Sequence, residues 1–166
     1  MDFLATARRQ MLAGQLHDAR ERLLASYAGL TNEQMQQSGV CGDWSVAHIL
    51  SHIASWDRAT LASFRKMLED ERAEFLDLNE DGIELFNAEG HEATKGATPD
   101  EAVTEMLAAR EELLIFLRET DNKTLFAPAP GDEHADLSMA ACITVLVNHD
   151  EEHADMIEEW RESMTG

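Results

Sequence analysis

The chain is poor in cysteine and in basic residues. Two cysteines in 166 residues cannot build a disulfide framework. The opening stretch, MDFLATARRQ, lacks the apolar core of a secretory signal. No apolar run reaches the length of a membrane span, since the longest, Met139 to Val147, holds nine residues. Lysine and arginine together number 13 against 33 aspartates and glutamates, a formal net charge of -20. Such a surface repels phosphate, so neither nucleic acid nor an anionic membrane is an expected partner. These absences point to a cytoplasmic protein. No internal repeat, low-complexity tract or interdomain linker stands out. With 44% hydrophobic and 28% charged residues the composition is globular, and the length suits one domain spanning residues 1–166.

What the sequence does hold is helical periodicity. Leu12, Leu16, Ala19, Leu23, Tyr27 and Leu30 recur at steps of three and four, one stripe of a helix. Gly29 and a capping box from Thr31 to Gln34 mark a stop and a new start. A second helix is expected from Ser45 as N-cap, carrying Val46, Ile49, Ile53, Trp56 and Phe64 to about Met67 or Leu68. From Asp70 to Lys95 the pattern weakens, and Leu76, Leu78, Ile83, Leu85 and Phe86 suggest a short helix or turn lying over a groove. The third long helix has the clearest start, with Thr98 as N-cap, Pro99 at the first helical position and Glu101 closing a capping box. Its stripe is Ala102, Met106, Ala109, Leu113 and Phe116. Pro128, Pro130 and Gly131 make a polar connection to a last helix from about Ser138 to Ser163. The fold class is therefore all-α: four long amphipathic helices with a long crossover between the second and third form a four-helix bundle.

The inner stripe of the last helix reads Met139, Cys142, Leu146, His149, His153, Met156 and Trp160. His149 and His153, four residues apart, project from one face about 6 Å apart along the axis, so both can reach one ion. On the second long helix His52 shares the stepping of Ile49 and Trp56 and points inward as well. Neutral imidazoles facing one another in a core are hard to satisfy by hydrogen bonding alone, and a divalent cation resolves this. The spacing thus marks His52, His149 and His153 as metal ligands, zinc and nickel both suiting imidazole. Three protein ligands and an open position describe a catalytic site, whereas a closed structural site needs a fourth.

Other candidates are weaker. His149 to His153 also fits the H-x-x-E-H pattern of inverted zinc proteases, but only thirteen residues follow His153, too few for the further carboxylate ligand. Asp150 and Glu151 are expected to face solvent, and Glu152 to lie at most near the rim of the site. Cys142 is two turns from His149 and reads as a small buried residue; Cys41, in a glycine-rich loop, has no activating base. Trp44, Trp56 and Trp160 could wall a pocket or serve as packing. His48 sits at the edge of the stripe; its alternatives are to support a ligand, to replace one, or to be a core or surface residue, and the last is expected. His17, His91 and His134 are expected to be solvated, as are acidic runs such as Glu69 to Glu71.

The segment from Gly42 to Asp57, GDWSVAHILSHIASWD, resembles the Trp-Ser…His signature of the DinB/YfiT-like superfamily, and Asn148 to Arg161 resembles its last-helix motif. Leu78 to Glu89 and Thr98 to Leu117 resemble the middle of its smaller branches, including those near the ClbS-like proteins. The resemblance implies an up-down-down-up bundle, commonly a homodimer, with one metal on three histidines. Matched residue by residue, these fall on His52, His149 and His153. It also implies a choice of activities. One is thiol transfer from a low-molecular-weight thiol to a small electrophile; another is metal-activated hydrolysis. The ClbS-like branch suggests a metal-independent hydrolase serving self-protection, which would rely on the polar groups of the Asp70 to Lys95 segment. A non-catalytic, stress-related or dimerising bundle tied by a structural histidine cluster is the reading from outside enzymology. No catalytic residue and no particular substrate is singled out.

Overall fold

The computed structural model describes residues 3–132 and 136–165. Four long helices dominate: α1 (Phe3–Tyr27), α3 (Val46–Leu68), α5 (Pro99–Glu119) and α7 (Met139–Thr165). Between them lie the short α2 (Asn32–Met35), a 3-10 turn (Glu74–Asp77), α4 (Glu80–Thr94) and the short α6 (Asn122–Leu125). Among the described residues the only strand-like pairings are two isolated bridges, Cys41 with Trp44 and Pro128 with Ser138. No helix among them is long and apolar enough to cross a membrane.

The expected helix starts are present with their caps. Ser45 caps α3, its hydroxyl accepting from the His48 N–H. Thr98 caps α5: its hydroxyl accepts from the Glu101 N–H at 3.3 Å, and Glu101 Oε2 accepts from the Thr98 N–H at 2.8 Å. Thr31 and Gln34 form the capping box of α2. Ser138 Oγ accepts from the Ala141 N–H at the start of α7. After α1, Gly29 takes a φ of 79°, a left-handed turn that glycine adopts without a Cβ clash.

α1 packs most extensively on α7, and α3 on α5. The apolar stripes meet in two clusters. One gathers Leu23, Ile49, Ile53, Met106, Ile157 and Trp160. The other gathers Leu16, Leu61, Phe64, Leu113, Met139 and Leu146. Each fully buried side chain of this size contributes about 1.5–3 kcal/mol over its exposed state. α1 and α7 pass from the second cluster to the first along the chain, while α3 and α5 pass the other way. Neighbours of the same sense need a return segment about as long as a helix, and residues 69–98 supply it between α3 and α5. The sequence suggests only a short helix or turn here. α4 is instead a 15-residue helix, whose pattern is faint because none of its residues is fully buried.

Candidate metal centre

His52 comes from the first half of α3, and His149 and His153 lie one turn apart in the middle of α7. Their imidazoles converge. His52 Nε2 is 2.8 Å from His149 Nε2, and His153 Nε2 is 3.1 Å from the same atom. The ligand atoms of all three lie within 4.8 Å of one another, His52 and His153 being buried and His149 half-buried. A ring nitrogen has a single in-plane site, holding either a hydrogen or a lone pair. His149 Nε2 therefore cannot hydrogen-bond well to both neighbours, and at least one pair of nitrogens faces without a shared proton.

Protonation does not relieve this contact. Burial, reinforced by His153, takes His52 down to about 3, and burial takes His153 down to about 4. Burial, the two neighbouring imidazoles and the cations Arg110 and Arg20 hold His149 well below the usual histidine range. The trio is neutral at physiological pH and offers lone pairs. Two ligands at the tetrahedral angle around an ion with bonds of about 2.0–2.1 Å sit about 3.3 Å apart, a little more than the 2.8 and 3.1 Å that separate His149 Nε2 from its two neighbours. The donor set thus fits a divalent cation of the kind imidazole prefers. One feature departs from the usual arrangement, in which the second ring nitrogen donates to an acceptor. The Nδ1 atoms of His149 and His153 are buried with no protein partner.

Aromatic packing orients the rings instead. Trp44 meets His52 edge-on with centroids 5.1 Å apart, and Trp56 lies 5.1 Å from His149 and 6.0 Å from His52. Trp56 is fixed in turn: its Nε1–H donates to Asn87 Oδ1 on α4 at 3.0 Å, and Phe75 and Phe86 pack against its ring. His91 is on α4, not in a polar loop, and stacks on Trp44 with the ring planes 2° apart. Its solvated placement is thus corrected, because the apolar face of Trp44 shelters it. His48 is not a ligand of the trio. Its Nδ1 accepts from the Ser45 N–H at 3.2 Å, so it fills the third position of the α3 capping box, where a Glu or Gln is usual.

Of the remaining candidates, Glu151, Glu152, His17 and Cys41 are exposed and Cys142 is buried. Trp160 packs in the apolar core. His134 lies outside the described residues.

Asp150 reverses its expectation: it is fully buried. It belongs to a cluster that draws one charged residue from each long helix, Arg20, Asp57, Arg110 and Asp150. Arg20 Nε donates to Asp150 Oδ2 at 2.9 Å and its Nη2 to Asp57 Oδ2 at 3.1 Å. Arg110 donates to both oxygens of Asp57, at 2.9 and 3.0 Å, and Nη2 reaches Asp150 Oδ1 at 3.3 Å. Two cations and two anions balance. Burial lifts the Asp150 carboxyl against the pull of Arg110 and Arg20. Burial also opposes the charge on Arg110, but Asp57 and Asp150 outweigh it and raise its pKa. The cluster sits between the two apolar cores, adjoining the trio through the peptide bond between His149 and Asp150. Of the four, the sequence points only to Asp150, and to the surface, because a charged side chain is by default a solvated one. The cluster's signal was register: Arg20 follows Leu16 by four and precedes Leu23 by three, and Arg110 stands likewise between Met106 and Leu113.

A helical bundle with histidines from two helices meeting in its interior defines the class of protein. The model of the DinB superfamily matches residues 15–157, and the chain belongs to that superfamily. No curated protein matches it. Among solved structures it is similar to the sibling lethal factor precursor DfsB, with a TM-score of 0.79 at 14% identity, covering 94% of this chain and 96% of that one. An uncharacterised protein from Escherichia coli UTI89 has a TM-score of 0.78 at 10% identity, with 95% and 94% covered. The colibactin self-resistance protein ClbS, solved in complex with a dsDNA, has a TM-score of 0.76 at 9% identity, with 91% and 93% covered. At these identities the likeness is one of fold.

Proposed function

We propose that this protein is a metal-dependent enzyme in which His52, His149 and His153 hold one divalent cation at the edge of the bundle core. The observation that carries the reading is the convergence of three neutral Nε2 atoms on one point. With a divalent cation held by these three residues, a bound water or thiol would have a lowered pKa and would be available as a nucleophile near neutral pH. The chain's part is to keep the imidazoles unprotonated by burial, to hold their rings against Trp44 and Trp56, and to leave His149 half-open to an incoming molecule. Transfer of a low-molecular-weight thiol to a small electrophile is the favoured reaction, ahead of hydrolysis. The thiol is supplied by a cofactor, since the Cys142 thiol is buried and pushed up to about 12. The crossover faces Trp56 with Phe75 and Phe86, which supports a walling role for that segment over a polar, metal-independent chemistry. ClbS was solved with dsDNA, but a net charge of -20 opposes phosphate contacts, and nucleic acid stays outside this reading. A homodimer in the cytoplasm belongs to the same proposal.

The test is metal content of tag-free protein by mass spectrometry, with zinc and nickel reconstitution, for the wild type and His149→Ala. About one equivalent in the wild type, lost in the variant, supports a three-histidine site. Thiols are then screened against electrophiles, with His52→Ala as the inactive control. A wild type that retains no metal after reconstitution overturns the reading.

A further inference from the structure

Ala141, Cys142, Val145 and Leu146 of α7 form one side of a cavity of about 370 Å³. Trp56 from α3, Phe75 and Leu78 from the crossover and Ile83 from α4 form the other. This volume lies within the range of small-molecule pockets, about 300–1,000 Å³. The cavity and the histidine trio share a wall, because the Trp56 ring lines the one and packs 5.1 Å from His149 in the other. Leu146 precedes His149 by three residues, about 4.5 Å along the helix axis. Val145, an apolar residue on this wall, is 55% exposed, so the fold leaves part of the lining uncovered. A roomier hollow of about 450 Å³ shares Leu76, Asp136 and Leu137 with this cavity but runs toward Arg72 and Asp132 and touches no residue around the trio.

The lining sets the chemistry of the occupant. Its polar members are the Thr60 hydroxyl, the Cys142 thiol and the Asp136 carboxylate. The carboxylate, in a chain of net charge -20, disfavours an anion, while the remaining walls offer apolar contact. A molecule entering here meets aromatic and aliphatic side chains along its length, with the Trp56 ring between it and His149.

We propose that this cavity seats the apolar tail of a neutral or cationic small-molecule substrate whose reactive head reaches His149. The proposal rests on the reading of the trio as the reactive centre and adds to it the class of substrate.

Calorimetric titration with 1-octanol, octylammonium and octanoate tests it, on metal-free wild type, Ala141→Phe and Val145→Glu. The wild type is expected to bind octanol and octylammonium saturably at one site, with octanoate about tenfold weaker. Ala141→Phe fills the cavity, and Val145→Glu places a charge on its exposed wall without disturbing the core. Each is expected to weaken octanol binding about tenfold while helicity by circular dichroism is kept. Absence of saturable octanol binding overturns the proposal, as does equal binding by a folded Val145→Glu. The two readings separate: octanol binding in a protein that takes up no metal leaves the tail site standing alone, and metal uptake without octanol binding leaves only the metal site.

Discussion

Arg110 grips Asp57 through two hydrogen bonds, Nε to Oδ2 at 2.9 Å and Nη2 to Oδ1 at 3.0 Å, with both side chains almost wholly out of water. This pair joins α5 to α3, and Arg20 and Asp150 extend it to α1 and α7. A buried charge is tolerable only while its partners are present. Asp57→Ala strips Arg110 of two bonds and Arg20 of one, and is expected to cost about 3–5 kcal/mol in urea unfolding. Replacing all four residues together, Arg20→Met, Asp57→Leu, Arg110→Met and Asp150→Leu, is expected to cost less than the single change, because no orphaned charge remains. A loss below about 1 kcal/mol in Asp57→Ala, the level of an exposed pair, would show that water reaches the cluster.

His48 is adjacent in sequence to the candidate metal site but acts on the backbone. Its Nδ1 must be unprotonated to accept from the Ser45 N–H. Burial and the nearby His91 lower its pKa, which favours that form. His48→Ala is expected to lose about 1 kcal/mol of stability by thermal unfolding while metal content stays at the wild-type level. His48→Gln, which restores the usual capping-box acceptor, is expected to recover most of the loss. Loss of metal from His48→Gln would place His48 among the ligands instead.

The contrast between His48 and His52 shows how far the sequence was legible. The stepping of Ile49, His52 and Trp56 sends His52 inward, and the structure places it beside His149. The capping residues Thr31, Ser45 and Thr98 were readable because a cap is local, made within four residues. The charge cluster was not, because Arg20, Asp57, Arg110 and Asp150 lie far apart in sequence and a charged side chain is by default a surface one. Asp57 stands four residues from both Ile53 and Leu61, so the stripe carried the information while residue type overruled it. α4 was faint for a different reason. A helix held by one hydrogen bond, a few aromatic contacts and no fully buried side chain has little apolar stripe to read.

Acid is expected to destabilise the metal-free protein before its carboxylates titrate. The histidines bind protons near 6.5 when unfolded, but His153 does so only at about 4 and His52 at about 3 when folded. Between these values the unfolded chain holds more protons. Stability therefore falls as the pH drops below about 6.5, at up to about 1.4 kcal/mol per pH unit for each histidine. His149 and His48, both lowered, act in the same direction. Urea midpoints at pH 7.5 and 5 check this, and a His52→Gln, His153→Gln double variant should show a flatter dependence. An equal dependence in the double variant would assign the acid sensitivity to other groups.

α4 is fastened to the bundle chiefly through Trp56. Asn87 Oδ1 accepts the indole N–H, Phe86 packs on the ring at 5.8 Å between centroids, and His91 stacks on Trp44 further along. With no α4 residue fully buried, opening this helix exposes little core and costs less than unfolding the bundle. Asn87→Ala removes the acceptor and leaves the Trp56 N–H unpaired, a loss of about 1 kcal/mol confined to the crossover. Hydrogen exchange in residues 80–94 is expected to quicken about fivefold, the factor that about 1 kcal/mol gives at 25 °C. The buried amides of α3 and α5 should exchange as in the wild type. Asn87→Asp keeps an acceptor and should remain close to wild type, which separates loss of the hydrogen bond from a general effect of substitution. Because Trp56 lines both the histidine trio and the apolar cavity, freeing α4 should also weaken octanol binding. Unchanged exchange in Asn87→Ala would mean that the aromatic contacts alone hold the crossover in place.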